Sequence, residues 1–313
     1  MRIEVSLTKY YRASNLIFSP GFLSNLILYF YMRLITRLIS PPSRRSYVRE
    51  KLHIHNFSAF CSRSLFRGVL DSVKLNGLKF RTTPFASLNL STIHEPIETH
   101  ALTKILRPRL FIDVGAHIGR YSLLMARTSE RVICLEPSPE AYQILLINIS
   151  LNRLKNVVPL NLAAWDADDE VISFHLERSV GGRSSAVRKP ENSCDTVKAR
   201  TITLDTVTKG FGVSSNDLVI KIDAELAETH VLRGAQRTLK ELRPILMVEI
   251  FRRNLEWCRG FFENLNYEVI GPINNYPYAD NYFCIPEEKF DETKVRELVA
   301  YLRDAKVPLS SPR

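Results

Sequence analysis

The sequence predicts an α/β fold, in which a doubly wound, mostly parallel sheet follows a helical, basic N-terminal extension. Two observations support this prediction. From residue 109 onward, short apolar runs typical of buried strands alternate with amphipathic helices. Glycines and acids stand directly after several of these runs, where a strand turns into a helix. Strands separated by helices need right-handed crossovers, which give a parallel sheet covered on both faces.

The individual elements follow from local patterns. Arg109–Val114 and Val132–Leu135 are apolar runs of strand length. Ser138 and Pro139 begin a helix, because serine is a favoured N-cap and proline a favoured first helical residue. Other helices are predicted at 118–128, at 231–242 and at 255–266. The remaining strands are predicted at Val157–Ala164, Val171–Leu176, Thr201–Leu204, Leu218–Asp223, Ile245–Ile250, Tyr267–Ile270 and Tyr282–Ile285.

The positive charge of the chain is concentrated in its first third. Residues 1–110 carry 17 Lys and Arg against 5 Asp and Glu, whereas residues 111–313 carry 26 against 28. Such an excess indicates an anionic partner, either nucleic acid or an acidic membrane surface, or else a solvated face that aids solubility. We therefore divide the chain into a basic, apolar extension at 1–84 and an α/β domain at 85–313.

The extension contains an apolar stretch without a charged residue, Ala13–Met32. Its length matches the roughly 20 residues that cross a bilayer, but it includes several polar residues and continues past Arg33 and Arg37. Of three alternatives for this stretch, the pattern most favours a helix packed on the domain. An interfacial anchor is the second alternative, and a true membrane span is the third. Because arginines follow the stretch, we expect a cytoplasmic protein, with residues 13–51 as a contact to the anionic inner face of the membrane.

Cysteine usage agrees with an intracellular location. The 5 cysteines are odd in number and include no Cys-x-x-Cys pair, which argues against a disulfide framework and a cysteine zinc site. His53 and His55 are too few ligands for a metal site. The sequence therefore predicts no bound metal.

Ligands of doubly wound sheets bind at the carboxyl ends of the strands, so the candidate site lies there. Asp113 stands at the end of the first strand, and Gly115 and Gly119 let the following backbone approach a ligand closely. Their Gly-x-x-x-Gly spacing differs from that of dinucleotide binders, which disfavours an NAD-dependent oxidoreductase. Glu136 follows the second strand, where a carboxylate accepts both hydroxyls of a ribose. Asp113 and Glu136 together suit a ligand with ribose beside a charged amino acid, such as S-adenosylmethionine.

Residues after the third and fourth strands complete the candidate site. The small side chain of Ala164 leaves room for an adenine ring, and Asp166 either accepts the adenine amino group or opens a turn. Asp223 either faces the reacting end of the ligand, with Glu225 close behind it, or forms an ion pair with Lys221.

Seven short segments in this order resemble the FkbM family of methyltransferases, which use S-adenosylmethionine on a Rossmann-like class I methyltransferase fold. The resemblance covers roughly residues 90–286 and implies a seven-stranded sheet. The segments are His94-Glu95-Pro96-Ile97-Glu98-Thr99, Asp113-Val114-Gly115-Ala116-His117-Ile118-Gly119, Glu136-Pro137, Leu204-Asp205, Ile220-Lys221-Ile222-Asp223-Ala224-Glu225-Leu226-Ala227-Glu228, Val231-Leu232-Arg233-Gly234-Ala235 and Val248-Glu249-Ile250.

The resemblance implies that the loop after the first strand lines the methionine part of the cofactor and that Glu136 binds the ribose. It places Asp223 and Glu225 near the transferred methyl group, as the catalytic candidates, and Glu95 is a further candidate base. The cofactor-binding residues that we predict are Asp113, Gly115, His117, Gly119, Glu136, Pro137, Ala164 and Asp166.

The sequence departs from the family pattern at two positions. His117 stands where the family usually has asparagine, and it keeps a side chain that can form a hydrogen bond. Leu226 replaces the glycine of the pattern Asp-Val-Glu-Gly-Ala-Glu. A side chain therefore stands where the acceptor should approach.

Three functions follow from this sequence. We expect O-methylation of a sugar, glycan, lipid-linked or secondary-metabolite hydroxyl, with Asp223 or Glu225 as general base and a small molecule or glycan as acceptor. A nucleic-acid methyltransferase would use the basic first third, but the chain shows no Asn/Asp-Pro-Pro-Tyr/Phe motif. Leu226 prompts the third hypothesis, a catalytically degenerate module that keeps the S-adenosylmethionine fold.

Overall fold

The structure, a computed structural model, describes residues 73–82, 90, 94–177, 186–187, 194–213, 217–274, 276 and 278–309. The chain divides into two compact units, Met1–His94 and Glu95–Arg313. In the first unit, the described part includes an antiparallel hairpin of β1 (Val73–Leu75) and β2 (Leu78–Phe80). The predicted apolar helix and the membrane contact at 13–51 lie outside the described residues.

The second unit is built on a seven-stranded sheet in the order β11-β12-β10-β9-β3-β4-β5. The five strands β5, β4, β3, β9 and β10, which are neighbours in this order, run parallel. β12 runs antiparallel between β10 and β11. The strands are β3 (Leu110–Val114), β4 (Arg131–Leu135), β5 (Val157–Leu160), β9 (Leu218–Ile222), β10 (Ile245–Phe251), β11 (Tyr267–Ile270) and β12 (Ala279–Pro286). The predicted seven-stranded, mostly parallel α/β fold is confirmed.

The chain enters this sheet at β3, moves outward to β5 and then returns to β9 on the other side of β3. The strand order therefore reverses between β3 and β9, which is the switch point where such sheets bind ligands. The helices are α1 (Pro96–His100), which continues as a π-helical turn (Ala101–Leu106), α2 (Arg120–Met125), α3 (Pro139–Leu151), α4 (Leu204–Gly210), α5 (Glu228–Arg233), α6 (Leu255–Glu263) and α7 (Thr293–Asp304).

Side chains alternate between the two faces of the sheet, and this alternation separates the core from the polar site. On one face, Ile112 and Ile220 belong to the main apolar core, together with residues of α4, α5 and α6. On the other face, Asp113 lies beside Lys221 in the register of β3 and β9. Charged side chains at the ends of the strands are thereby gathered on one face.

The prediction of one strand over Val157–Ala164 was wrong. β5 ends at Leu160, and β6 (Ala163–Ala164) belongs to a separate three-stranded sheet with β7 (Val171–Glu177) and β8 (Cys194–Ile202). Asn161 lies in the break, where its side-chain amide donates to the carbonyl oxygen of Glu136 at 2.8 Å. This side-chain bond takes the place of a backbone ladder bond.

The predicted strand Thr201–Leu204 was wrong at both ends, because β8 begins at Cys194 and ends at Ile202. Leu204 begins α4 because Thr203 is the N-cap of this helix. The hydroxyl of Thr203 accepts a hydrogen bond from the backbone N–H of Thr206 at 3.0 Å, and threonine is a favoured N-cap.

Within the described part of the chain, no helix has the length and apolar composition needed to cross a bilayer.

Candidate functional site

Glu136 directly follows β4 at the carboxyl edge of the sheet and is 5% exposed. Its two carboxylate oxygens accept the backbone N–H groups of His117 at 2.7 Å and Ser138 at 2.8 Å. Burial raises the pKa of Glu136 to about 7, although these hydrogen bonds act in the opposite direction. The carboxylate is thus held between the loop after β3 and the start of α3.

The loop after β3 touches the loop after β9 through Gly115. The φ angle of Gly115 is +75°, and a Cβ atom at this position would lie 1.9 Å from the carbonyl oxygen of Asp223. His117, in the same loop, has φ of +52°, in the left-handed region where Asn, Asp and His are the commonest residues after glycine. A histidine can therefore occupy the position where the resemblance predicts asparagine.

Lys221 lies among carboxylates on the polar face of the sheet. Its Nζ is 3.1 Å from Asp223 Oδ2 and 3.7 Å from Asp113 Oδ1. Burial alone would lower the pKa of Lys221, but the charges of Asp223 and Asp113 outweigh it and hold the pKa above its usual value. The ion pair of Asp223 with Lys221, one of the two sequence interpretations, is therefore present.

Asp113 is 1% exposed, so its carboxylate lies beneath the site and not on its surface. Ser122 Oγ donates to Asp113 Oδ2 at 2.6 Å, whereas Asp113 Oδ1 accepts no hydrogen bond. Burial raises the pKa of Asp113 against the charge of Lys221. Its predicted contact with the methionine part of a cofactor stays a prediction.

Three carboxylates meet at the ends of β9 and β10. Oxygens of Asp223, Glu225 and Glu249 all lie within 4.8 Å of one another. Burial and the charges of Asp223 and Glu225 raise the pKa of Glu249 well above its usual value. Burial alone would raise the pKa of Asp223 as well, but Lys221 and a hydrogen bond from Glu249 hold it below its usual value. Of the two acids, Glu249 is therefore the one that favours its protonated form, and its proton is donated to Asp223.

Three carboxylates can hold a divalent cation, although the sequence predicts no metal. In this cluster Lys221 already supplies a positive charge 3.1 Å from Asp223, and the raised pKa of Glu249 favours its neutral form. Both features neutralise charge that a metal ion would otherwise balance. We therefore assign the cluster no metal.

Glu95 joins this cluster from the segment before α1. Its carboxylate accepts hydrogen bonds from Tyr121 Oη at 2.7 Å and Asn281 Nδ2 at 3.0 Å. The register of β10 and β12 places Asn281 beside Glu249, and the charge of Glu95 contributes to the raised pKa of Glu249. Glu95, named from the sequence as a further candidate base, thus lies close to the predicted catalytic residues.

Ala164 and Asp166 have surroundings that differ from those predicted. Ala164 is buried in β6, where it pairs with Ile202 of β8. Asp166 Oδ2 is 2.7 Å from Nδ1 of His230. The His230 ring stacks on Trp165, with 3.9 Å between the two ring centroids. One oxygen of Asp166 is therefore engaged by a side chain of α5, and a contact of Asp166 with adenine stays a prediction.

Sequence reasoning missed two members of the site. Glu249 lies near the end of β10, so the rule that selected Asp113, Glu136 and Asp223 would have selected it as well. Asn281 gave no such signal, because it lies in the antiparallel strand β12 and only the strand register brings it to Glu249.

A model of the methyltransferase FkbM domain matches residues 113–302. The chain belongs to the FkbM methyltransferase family. Its FkbM domain is that of a methyltransferase that depends on S-adenosylmethionine, and the predicted family and cofactor are confirmed. No curated protein matches the sequence.

Several solved methyltransferases have similar structures, all at low sequence identity. A methyltransferase FkbM from Methylobacillus flagellatus KT is 14% identical, with 75% of this chain and 60% of that chain covered and a TM-score of 0.40. This chain therefore spans less than two thirds of that protein. The M. jannaschii TYW2 structure in complex with AdoMet is 16% identical over 68% of this chain and 84% of that chain, with a TM-score of 0.39. The M. jannaschii tRNA m1G37 methyltransferase is 13% identical over 69% and 56%, with a TM-score of 0.40.

The chemistry of the FkbM site fits S-adenosylmethionine. Glu136, when ionised, has lone pairs left on both oxygens for the two hydroxyls of a ribose. Asp223, Glu225 and Glu95 would provide negative charge beside the cationic sulfonium and ammonium groups. When bound, the cofactor supplies a methyl group on a positively charged sulfur, and the residues of the chain supply position and charge.

Cofactor affinity is expected to depend on pH through Glu136. Below its pKa of about 7, the neutral acid loses one acceptor oxygen, so the dissociation constant should rise by up to about tenfold per pH unit between pH 7 and 5. Calorimetric titration from pH 5.5 to 8.5 measures this change. An affinity that does not vary with pH would contradict the assignment of Glu136.

The raised pKa of Glu136 also determines whether the stability of the unliganded protein rises or falls with pH. Because folding raises the pKa of Glu136 from 4.5, the folded state holds a proton that the unfolded state releases. The stability from Glu136 is fully present below about pH 4.5 and is lost as the pH rises through about 7. Denaturant titrations at pH 6 and 8 should therefore differ less in Glu136→Gln than in the wild type.

Proposed function

We propose that the chain transfers the methyl group of S-adenosylmethionine to a hydroxyl oxygen of a sugar, glycan, lipid-linked or secondary-metabolite acceptor. One observation supports this most directly, namely that Asp223, Glu225 and Glu249 gather within 4.8 Å at the ends of β9 and β10. Carboxylates accept hydrogen bonds from hydroxyl groups and take up the proton that such an acceptor must lose. The proposal extends to the whole chain what family membership gives for its domain.

The same cluster supports this class of acceptor over nucleic acid. Carboxylates repel phosphates, and nucleic-acid binding relies on neutralising phosphates with Lys and Arg. In the described part of the FkbM domain, Lys221 is paired with carboxylates and is 5% exposed, so it does not offer its charge to a phosphate. The excess of Lys and Arg over Asp and Glu that would favour a nucleic acid lies in the first third of the chain.

The test is methyl transfer by the full-length protein from labelled S-adenosylmethionine. The acceptors are a panel of mono- and oligosaccharides, lipid-linked sugars and hydroxylated small molecules, with total tRNA and rRNA as a separate arm. We expect label on an alkali-stable methyl ether and none on RNA. Label on RNA alone, or no transfer to any acceptor, would overturn the proposal.

The conformation of Leu226 supports an active enzyme over a degenerate module. Leu226 has φ of +81°, so it occupies the glycine-like conformation of the family pattern. Its side chain is 7% exposed, which means that it packs within the fold and does not stand free at the edge. The backbone is anchored on both sides, because its N–H donates to Glu228 Oε1 at 3.0 Å and its carbonyl oxygen accepts from Asn254 Nδ2 at 3.3 Å.

Leu226→Gly separates the enzyme from the degenerate module. Glycine relieves the left-handed strain, about 1 kcal/mol, and removes a buried side chain, about 2 kcal/mol. These two effects on stability oppose each other, so we expect the variant to fold. We expect the wild type to transfer methyl groups, and the rate of the variant to differ from the wild-type rate by less than about tenfold, which corresponds to 1.4 kcal/mol. Activity that appears only in the variant would favour the degenerate module.

A contact of residues 13–51 with an anionic membrane surface, at the cytoplasmic face, is a second part of the proposal. The supporting observation is the net positive charge of residues 1–110 beside the apolar stretch Ala13–Met32. Co-sedimentation with phosphatidylserine vesicles, compared with phosphatidylcholine vesicles, tests it. Equal retention on both would contradict this part.

A further inference from the structure

The candidate site at the carboxyl ends of the strands carries more negative than positive charge. One carboxylate oxygen each of Asp223, Glu225 and Glu249 lies within 4.8 Å of the others, and Lys221 Nζ lies 3.1 Å from Asp223. Beneath them, Asp113 Oδ1 is buried without a hydrogen-bond donor. The raised pKa of Glu249 favours a proton between Glu249 and Asp223, which lowers this excess of negative charge.

Every element packed against Glu249 contributes to this arrangement. The loop after β9 provides Asp223 and Glu225, and the segment before α1 provides Glu95. Asn281 lies beside Glu249 on β12 and is neutral. Lys221 and His117 stabilise the negative charge of Asp223. They therefore affect the proton of Glu249 indirectly, through Asp223. The charged neighbours that act most strongly on Glu249 are therefore acids, and they favour its protonated form, while Arg120 pairs with Glu95 at 3.5 Å.

A cationic ligand at this edge reverses that preference. A positive charge within roughly 5 to 8 Å of a half-buried carboxylic acid, at an effective dielectric constant of about 20, lowers the pKa of that acid by roughly 1.5 to 2.5. The sulfonium of S-adenosylmethionine would bring a positive charge to this edge, and the neutral thioether of S-adenosylhomocysteine would not.

We propose that Glu249 exchanges its proton for the positive charge of the cofactor, releasing it when S-adenosylmethionine binds and regaining a proton when the methyl group has been transferred. The second half of this cycle rests on the proposed function. As the S–CH3 bond breaks and the O–CH3 bond forms, the O–H bond of the acceptor breaks, and its proton passes to the Asp223–Glu249 pair. No oxidant or further reactant is needed, because one positive charge replaces another.

This exchange explains how a pair that is already protonated can act as a base. In the unliganded protein, Asp223 is a weak base because Lys221 and Glu249 stabilise its charge. With the proton of Glu249 released, the pair carries two negative charges and accepts the proton of an acceptor hydroxyl readily. After transfer the pair is again singly protonated, as in the unliganded protein.

The experiment is isothermal titration of the full-length protein with S-adenosylmethionine and with S-adenosylhomocysteine, in buffers of different ionisation enthalpy between pH 7 and 8. The dependence of the heat on the buffer gives the protons released per ligand. Both ligands carry ribose, so release from Glu136 cancels in the difference between them. The wild type is expected to release more protons with S-adenosylmethionine than with S-adenosylhomocysteine.

Glu249→Gln keeps the shape of the side chain and removes its titration, so it should abolish most of this difference. Subtracting the value for this variant also removes any contribution from the amino group of the free ligand. Asp223→Asn is a second variant in which the difference should shrink, because Glu249 then lacks its nearest negative neighbour. Glu140→Gln is the control, since Glu140 is an exposed acid in the first turn of α3, and it should keep the wild-type difference.

Each outcome bears on the proposal separately from the proposed function. Equal proton release for the two ligands in the wild type, with both bound, would overturn the exchange and leave methyl transfer standing. An unchanged difference in Glu249→Gln would overturn the assignment to Glu249. Failure of the folded protein to bind either ligand would overturn both the exchange and the proposed function.

Discussion

Replacing Gly115 by alanine is expected to lower the free energy of unfolding by about 3 kcal/mol or more and to abolish cofactor binding. The left-handed backbone costs a Cβ residue about 1 to 2 kcal/mol. The added Cβ would also lie 1.9 Å from the carbonyl oxygen of Asp223, so the loops after β3 and β9 must separate. Urea unfolding and titration with S-adenosylmethionine measure the two effects.

Gly212→Ala is the matched control. Gly212 also has a positive φ, +61°, but an added Cβ would meet no atom within 4 Å. This variant should lose only the conformational cost, about 1 to 2 kcal/mol, and should bind the cofactor as the wild type does. Equal losses of stability in both variants would mean that backbone conformation, and not the close approach to Asp223, makes Gly115 necessary.

Replacing Glu136 by alanine is expected to weaken S-adenosylmethionine binding by at least about 100-fold. Two hydrogen bonds from ribose hydroxyls to a carboxylate are worth about 1.5 to 3 kcal/mol each, and tenfold in affinity corresponds to about 1.4 kcal/mol. The variant also leaves the N–H groups of His117 and Ser138 without their acceptor, so some stability should be lost as well. Calorimetric titration with S-adenosylmethionine, S-adenosylhomocysteine and NAD measures the affinity.

Two further variants separate binding from folding. Glu136→Gln keeps an acceptor oxygen, so it should fold better than the alanine variant and still bind poorly. Glu140→Ala removes an exposed acid from the first turn of α3 and should bind normally. Wild-type affinity in Glu136→Gln would show that Glu136 only holds the two loops and does not bind the ribose.

Two departures from the family pattern have a shared structural explanation. His117 and Leu226 both have positive φ angles, +52° and +81°. Asparagine and glycine, which the family pattern has at these positions, adopt this conformation more readily than most residues. The substitutions therefore change the side chains while the left-handed backbone is retained, and the backbone of such loops is held by hydrogen bonds, as at Glu136 and Glu228.

Part of the site was predictable because it depends on local patterns. Apolar runs mark where parallel strands end, and the carboxyl ends of such strands share one edge, so Asp113, Glu136 and Asp223 could be selected from the sequence alone. The surroundings of Asp166 could not be predicted in the same way. β5 ends before Asp166, and the chain passes into a second sheet, where the carboxylate contacts His230.

The sequence by itself determined the α/β fold, the order of its elements, the family and the acids at the strand ends, because hydrophobic periodicity and short motifs are properties of neighbouring residues. Only the tertiary structure decided which acids meet. The raised pKa of Glu249 depends on its surroundings and on its distance from Asp223 and Glu225, and the place of Asn281 depends on the register between β10 and β12. Burial and register arise when strands far apart in the chain pair, and a local pattern does not contain them.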